Sequence, residues 1–161
     1  MTATHRADPD TGRRPRTPTG LYLRATALND RADEPPGEPA LDVFARAFAT
    51  AVRLRFRPDT PLLAVAASVA AAARRHPMLH QLVREAEMLI RQALGEQVPA
   101  AGITAQPAMV IHMLIFAALA DEMALTDDEI DELIADAELG EDAQQGEVCG
   151  RVRPRWSPGG P

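Results

Sequence analysis

The sequence predicts an all-α fold, a compact orthogonal or up-down bundle of about five helices carried between irregular N- and C-terminal tails. Three observations carry that expectation. Apolar residues in the middle of the chain recur at the i, i+3, i+4, i+7 spacing of amphipathic helices. Proline, capping and glycine signals punctuate those runs where helices start and stop. The two ends show no apolar period. A length of 161 residues suits one domain with room for tails. With aromatics at only 4%, the core must be built from Ala, Leu, Val, Ile and Met.

Residues 1–38 read as an Arg/Pro-rich tail and linker that buries too little to offset the entropy of ordering. A short helix over 21–28 (LYLRATAL) is the one element expected there, docked on the core. The helical domain is expected over 39–140. Its first helix runs from Pro39 to Arg57, with Leu41, Phe44, Phe48, Ala51, Val52 and Leu54 mostly on one stripe. The second, Pro61 to Arg75, has Thr60 as the expected N-cap and Pro61 at the first helical position. Its many alanines allow close approach on several sides, so it is expected to be the most central helix. The third, Pro77 to Leu94, is the clearest amphipath and ends at Gly95. The fourth, Pro107 to Met123, has about 14 apolar residues before Asp121. That is shorter than the roughly 20 a bilayer needs, so it reads as a buried core helix and not a membrane span.

The fifth helix opens on the strongest local signature. Thr126 followed by Glu129 is a capping box, and Leu125 with Ile130 a hydrophobic staple. Ile130, Leu133, Ile134 and Ala137 form its apolar stripe, and Gly140 is the expected stop. Residues 141–161 read as an irregular tail, acidic and then basic.

Charge is segregated along the chain. Asp121 to Glu147 holds twelve carboxylates and no basic residue, whereas Ala40 to Gly95 holds eight arginines against four acids. All seventeen basic residues are Arg, which suits bidentate anion contacts, although a GC-rich coding background also favours Arg. The net charge of −6 argues against a general nucleic-acid binder. Acids at the start of a helix complement its dipole, which accounts for Asp127, Asp128 and Glu129 but not for those at the far end. The remainder is either a solvated face or a docking surface. As a docking surface it comprises Asp128, Glu132 and Asp136, with Arg151, Arg153 and Arg155 of the basic tail as complementary elements and Trp156 as an anchor beside them. The partner would be another protein, a second copy, or the chain's own C-terminal tail folded back.

Chemistry-bearing residues are sparse. Asp121, Glu122, Asp128, Glu129 and Glu132 offer hard oxygen ligands suited to calcium or magnesium, without the loop spacing of an EF-hand. Like charges at 127/131 and 128/132 would be relieved by a cation or by water. His76 and His80 have the spacing of a zinc pair, but His76 precedes a proline and is biased out of helix. His112 lies within an apolar run, where a neutral buried imidazole is the ordinary outcome. Cys149 stands alone, with no activating base nearby and no disulfide partner, which points to the reducing cytoplasm. No secretory h-region, P-loop, dinucleotide-binding or nucleophile-elbow motif occurs, so an enzyme is the less favoured reading. A small helical enzyme would need His112 or a carboxylate pair within the bundle.

The stretch Ala118 to Ile134, ALADEMALTDDEIDELI, resembles the TerB-like tellurite-resistance helical family, in which an apolar helix ends in an acidic turn before a capped helix. Asp121 and Glu129 would stand at the family's acidic pair. Glu122 occupies the place of the usual glycine, and the spacing between the acids is one residue longer. The resemblance implies a helical domain with a cation site, acting in stress-linked assemblies. The residues themselves favour a non-enzymatic interaction module with an acidic docking face.

Overall fold

The computed structural model describes residues 13–30, 35–37 and 40–148, with side chains described through Gly140. The described residues form six α-helices and no strand. The helices are α1 Pro18–Ala27, α2 Leu41–Arg55, α3 Leu62–Arg75, α4 Val83–Ala93, α5 Ala105–Glu122 and α6 Asp127–Val148, with 3₁₀ turns at Pro77–Leu79 and Ala100–Gly102. The fold is therefore an all-α bundle, as the periodicity predicts.

The core is organised around α2 and α5, which pack on each other most extensively, with α6 laid against α2 and α1 against α5 and α6. Every residue from Leu114 to Ala120 is buried, so α5 is apolar all round and enclosed. Phe44, Phe48, Ile111, Phe116 and Ile134 fill the space between these helices. Among the described residues no helix is long and apolar enough to cross a membrane.

Several boundaries differ from expectation, each for a local reason. The tail was expected to be irregular through residue 20, yet Arg13–Thr17 lie on α6 and α1 starts at Pro18. Thr17 is the N-cap, its hydroxyl accepting from the Gly20 N–H at 3.0 Å, and Pro18 supplies the first helical position. Leu23 is fully buried and anchors α1. At α3, Thr60 does not cap: its hydroxyl accepts from the Arg57 N–H, and the helix starts one residue later than expected, behind Pro61. The third expected helix is split. His76 is extended before Pro77, residues 77–79 form a 3₁₀ turn, and α4 begins only at Val83. Those breaks prevent His76 and His80 from sharing one helical face.

Gly140 does not stop α6, which continues to Val148. Its missing side chain serves close packing instead: the Arg46 Cδ lies 2.9 Å from where a Cβ would stand. Arg46 Nε then donates to the Ala137 carbonyl at 2.6 Å. Gly95 does terminate its helix, at φ 92°, with its N–H on the Gln92 carbonyl and that of Glu96 on Arg91. Asn29 and Ala124 play the same left-handed role after α1 and α5, at φ 54° and 51°.

The expectation that the alanine-rich helix is central is also corrected. Helix α3 lies at the edge, packing mainly on α4 and α5. It buries Val65, Val69, Ala72 and Ala73 and leaves Leu62, Leu63, Ala64, Ala67 and Ala70 exposed. Alanine favours helix anywhere, but it brings too little apolar area to draw a helix inward against α2 and α5.

Candidate functional site

The acidic helix α6 starts as its sequence dictates. The Thr126 N–H donates to Glu129 Oε2 at 2.8 Å, and the Glu129 N–H reaches back to the Thr126 hydroxyl at 3.3 Å. These bonds hold the Glu129 carboxyl below its ordinary pKa, the Thr126 backbone N–H being the main cause. Ile130 is buried and Leu125 packs on the core beside the start of the helix.

Two carboxylates of α6 turn inward. Ile130, Asp131, Ile134, Ala135 and Ala137 are buried, and Glu138 is half-buried. Asp131 and Glu138 stand seven residues apart, on the flank that meets α1. The Asp131 side chain is 4% exposed and accepts a hydrogen bond from Arg24 Nε. Arg14 Nε lies 4.0 Å from its other oxygen, and a terminal nitrogen of Arg24 lies 4.0 Å from Asp127. Glu138 accepts three donors from the start of α1. They are the Arg16 N–H at 2.9 Å, the Thr17 N–H at 2.9 Å and the Thr17 hydroxyl at 2.7 Å. A carboxylate on α6 thus serves the electropositive N-terminus of α1. Gly20 permits the approach, because a Cβ there would overlap Glu138 Oε1. At the rim, Arg13 pairs with Asp136 at 2.9 Å.

The arrangement is an arginine-bearing segment seated on an acidic helix within one chain. Its basic element comes from the N-terminal side; Arg151, Arg153, Arg155 and Trp156 lie outside the described residues. Asp128, Glu132 and Asp136 line the outer side of α6 at four-residue intervals, all exposed. Among the described residues Asp128 and Glu132 make no ion pair.

Asp121 and Glu122 look away from this face. Asp121 pairs with Arg75. Glu122 accepts from Arg55 Nε at 2.9 Å and Nη2 at 2.6 Å on one oxygen, and from the Ser68 hydroxyl at 2.7 Å on the other. Burial pushes its carboxyl up, but the bonds from Ser68 and Arg55 and the charges of Arg55 and Arg75 outweigh this and hold it below the ordinary value. Glu122 therefore ties α2 and α3 to the end of α5. The five expected cation ligands do not converge, and among the described residues no three His, Cys, Asp or Glu gather as a metal site.

His112 stacks on Phe48, ring centroids 4.7 Å apart, and burial lowers its pKa to about 4. It is neutral at pH 7, a packed imidazole, and among the described residues no acid bonds to it. His76, depressed by burial and then by the Arg75 charge, lines a cleft of about 470 Å³ with Arg75 and Asp121. The Arg75–Asp121 pair already occupies the charged groups of that cleft. Cys149 lies outside the described residues.

The inward carboxylates and their arginines were not singled out from the sequence. One signal was present: Asp131 and Glu138 flank the apolar stripe of α6 and not its outer face. The Thr17-Pro18 pair before an apolar run was a second, marking the start of α1. Compared with known family models, curated proteins and solved structures, the chain matches none.

Proposed function

We propose that the chain is a non-enzymatic helical protein-interaction module of the cytoplasm, whose acidic α6 face docks an arginine-bearing segment of a partner protein. One observation carries the reading: the inner flank of α6 already holds such a segment. Arg13, Arg14 and Arg24 meet Asp136, Asp131 and Asp127 there. The outer flank repeats the same chemistry in Asp128 and Glu132, turned to solvent, with Asp136 at the rim between the two flanks. Closely spaced carboxylates favour guanidinium groups, which approach in a bidentate, planar fashion. Opposed charges of this kind speed encounter and set orientation more than they raise affinity, so binding should weaken steeply with salt.

The test is charge reversal on the outer flank. A variant carrying Asp128→Lys and Glu132→Lys should keep the helical circular-dichroism spectrum of the parent, because both side chains are exposed and neither makes an ion pair among the described residues. It should lose the proteins that the parent captures in a low-salt affinity pull-down read by mass spectrometry. Retention of every captured protein by the folded variant would overturn the proposal.

A further inference from the structure

A cleft of about 520 Å³ lies between α2 and α6, within the size range of small-molecule sites. Its floor is one stripe of α2, because Asp42, Ala45, Arg46, Ala49, Thr50 and Arg53 recur at helical spacing. Asp136 and Ala137 of α6 form the far wall. The two arginines of the stripe stand seven residues apart, about 10 Å along the helix axis. Each gives its Nε–H to a backbone carbonyl, Arg46 to Ala137 at 2.6 Å and Arg53 to Ala93 at 3.2 Å. A carbonyl orients a guanidinium without neutralising it. Among the described residues neither arginine makes an ion pair. Arg46 Nη2 is also shielded from water and meets no acceptor among them. A native fold rarely leaves such a donor unmet, because its desolvation goes uncompensated.

We propose that this cleft binds a small carboxylic acid, its carboxylate held by Arg46 and Arg53 and its apolar body laid against Ala45, Ala49 and Ala137. The acids of the cleft do not supply the missing counter-charge. Asp136 is paired with Arg13 at 2.9 Å. Asp42 stands one turn before Arg46 without pairing to it; the Arg46 side chain crosses Gly140 towards α6 instead. Two arginines against one unpaired acid, Asp42, leave a single net positive charge among the groups that face the cleft. That balance matches a carboxylate and leaves a phosphate dianion in excess. Arginine meets a carboxylate through two parallel hydrogen bonds, a geometry that lysine does not reproduce. Thr50, exposed between the two arginines, adds a hydroxyl donor. A largely apolar floor with a few convergent polar groups is the usual make-up of a small-ligand site.

The test is a titration of the full, nitrogen-15-labelled chain with sodium benzoate at neutral pH and constant ionic strength, read by NMR. The Arg46 and Arg53 Nε–H resonances should shift and saturate, with a dissociation constant of about 1 mM or below. Arg46→Lys keeps the charge, removes the planar fork and should raise that constant at least tenfold. Arg53→Gln, at an exposed position, should keep the parent's thermal melt and raise it at least threefold. Arg84→Gln, which removes an exposed arginine of α4 outside the cleft, should leave it unchanged. Inorganic phosphate should bind the parent more weakly than benzoate does, and Asp42→Asn should narrow the difference. A parent that shows no saturable shift up to ~50 mM benzoate overturns the proposal. So do equal effects of Arg53→Gln and Arg84→Gln, or phosphate binding tighter than benzoate. Charge reversal at Asp128 and Glu132 should leave benzoate binding unchanged, which separates this cleft from the acidic face.

Discussion

Replacing Arg24 by Met removes the guanidinium that meets Asp131 while keeping most of the side chain's volume against α6. The Asp131 side chain is 4% exposed and that of Arg24 31% exposed. The carboxylate would stay in a largely dry position without its main partner. Breaking a buried pair from one side costs about 3–5 kcal/mol, because an uncompensated charge is left behind. Arg14 stands 4.0 Å from the other oxygen but is 80% exposed, so it recovers at most ~1 kcal/mol. The expected loss is therefore about 3 kcal/mol. At about 2–4 °C per kcal/mol for a chain of this size, the melting temperature should fall by roughly 6–12 °C. Urea unfolding followed by circular dichroism at pH 7 gives the free energy directly. Adding Asp131→Asn to Arg24→Met removes the stranded charge and should restore at least half of the loss. A single-variant loss below about 1 kcal/mol, or a double variant no more stable than the single one, would refute the reasoning that Arg24 neutralises a desolvated carboxylate.

Three further outcomes follow from the geometry. Gly20→Ala should destabilise by about 1–2 kcal/mol in chemical unfolding despite alanine's better helix propensity, since three hydrogen bonds hold the Glu138 carboxylate that the new methyl would strike. Ala124→Gly should raise stability by about 0.5–1 kcal/mol, because Ala124 sits at φ 51°, where a Cβ is strained. His112 stays neutral in the fold down to about pH 4, whereas in the unfolded chain it titrates near 6.5. Stability should be full above pH 6.5 and fall as the pH drops towards 4, by about 3 kcal/mol. A His112→Leu variant should lack that part of the pH dependence in melting curves taken from pH 7 to pH 4.

The parts of the fold legible in the sequence are those written in consecutive residues. The Thr126–Glu129 box appears with its reciprocal bonds, Gly95 ends its helix, and the apolar run before Asp121 lies buried. What eluded the sequence depends on residues far apart. Gly140 looks like a stop, but the side chain crossing it comes from Arg46. An alanine-rich helix is compatible with the centre or the edge of a bundle, and the larger side chains of α2 and α5 claimed the centre. The candidate site divides the same way. The acids of α6 are evident as a run, but which of them face inward depends on helical phase, and their arginines come from more than a hundred residues earlier.

Glu138 closing the start of α1 has a consequence for how the molecule assembles. The bonds from Arg16 and Thr17 to Glu138 span more than 120 residues of intervening chain. Such a contact is rewarded only after the loop it closes has been drawn together, so it belongs to the late steps of folding. A contact made after the rate-limiting step changes how fast the native state opens and leaves the rate of its formation nearly untouched. By that reasoning the N-terminal helix bears on how long the native bundle persists, and loosening Glu138 should show first in the unfolding rate.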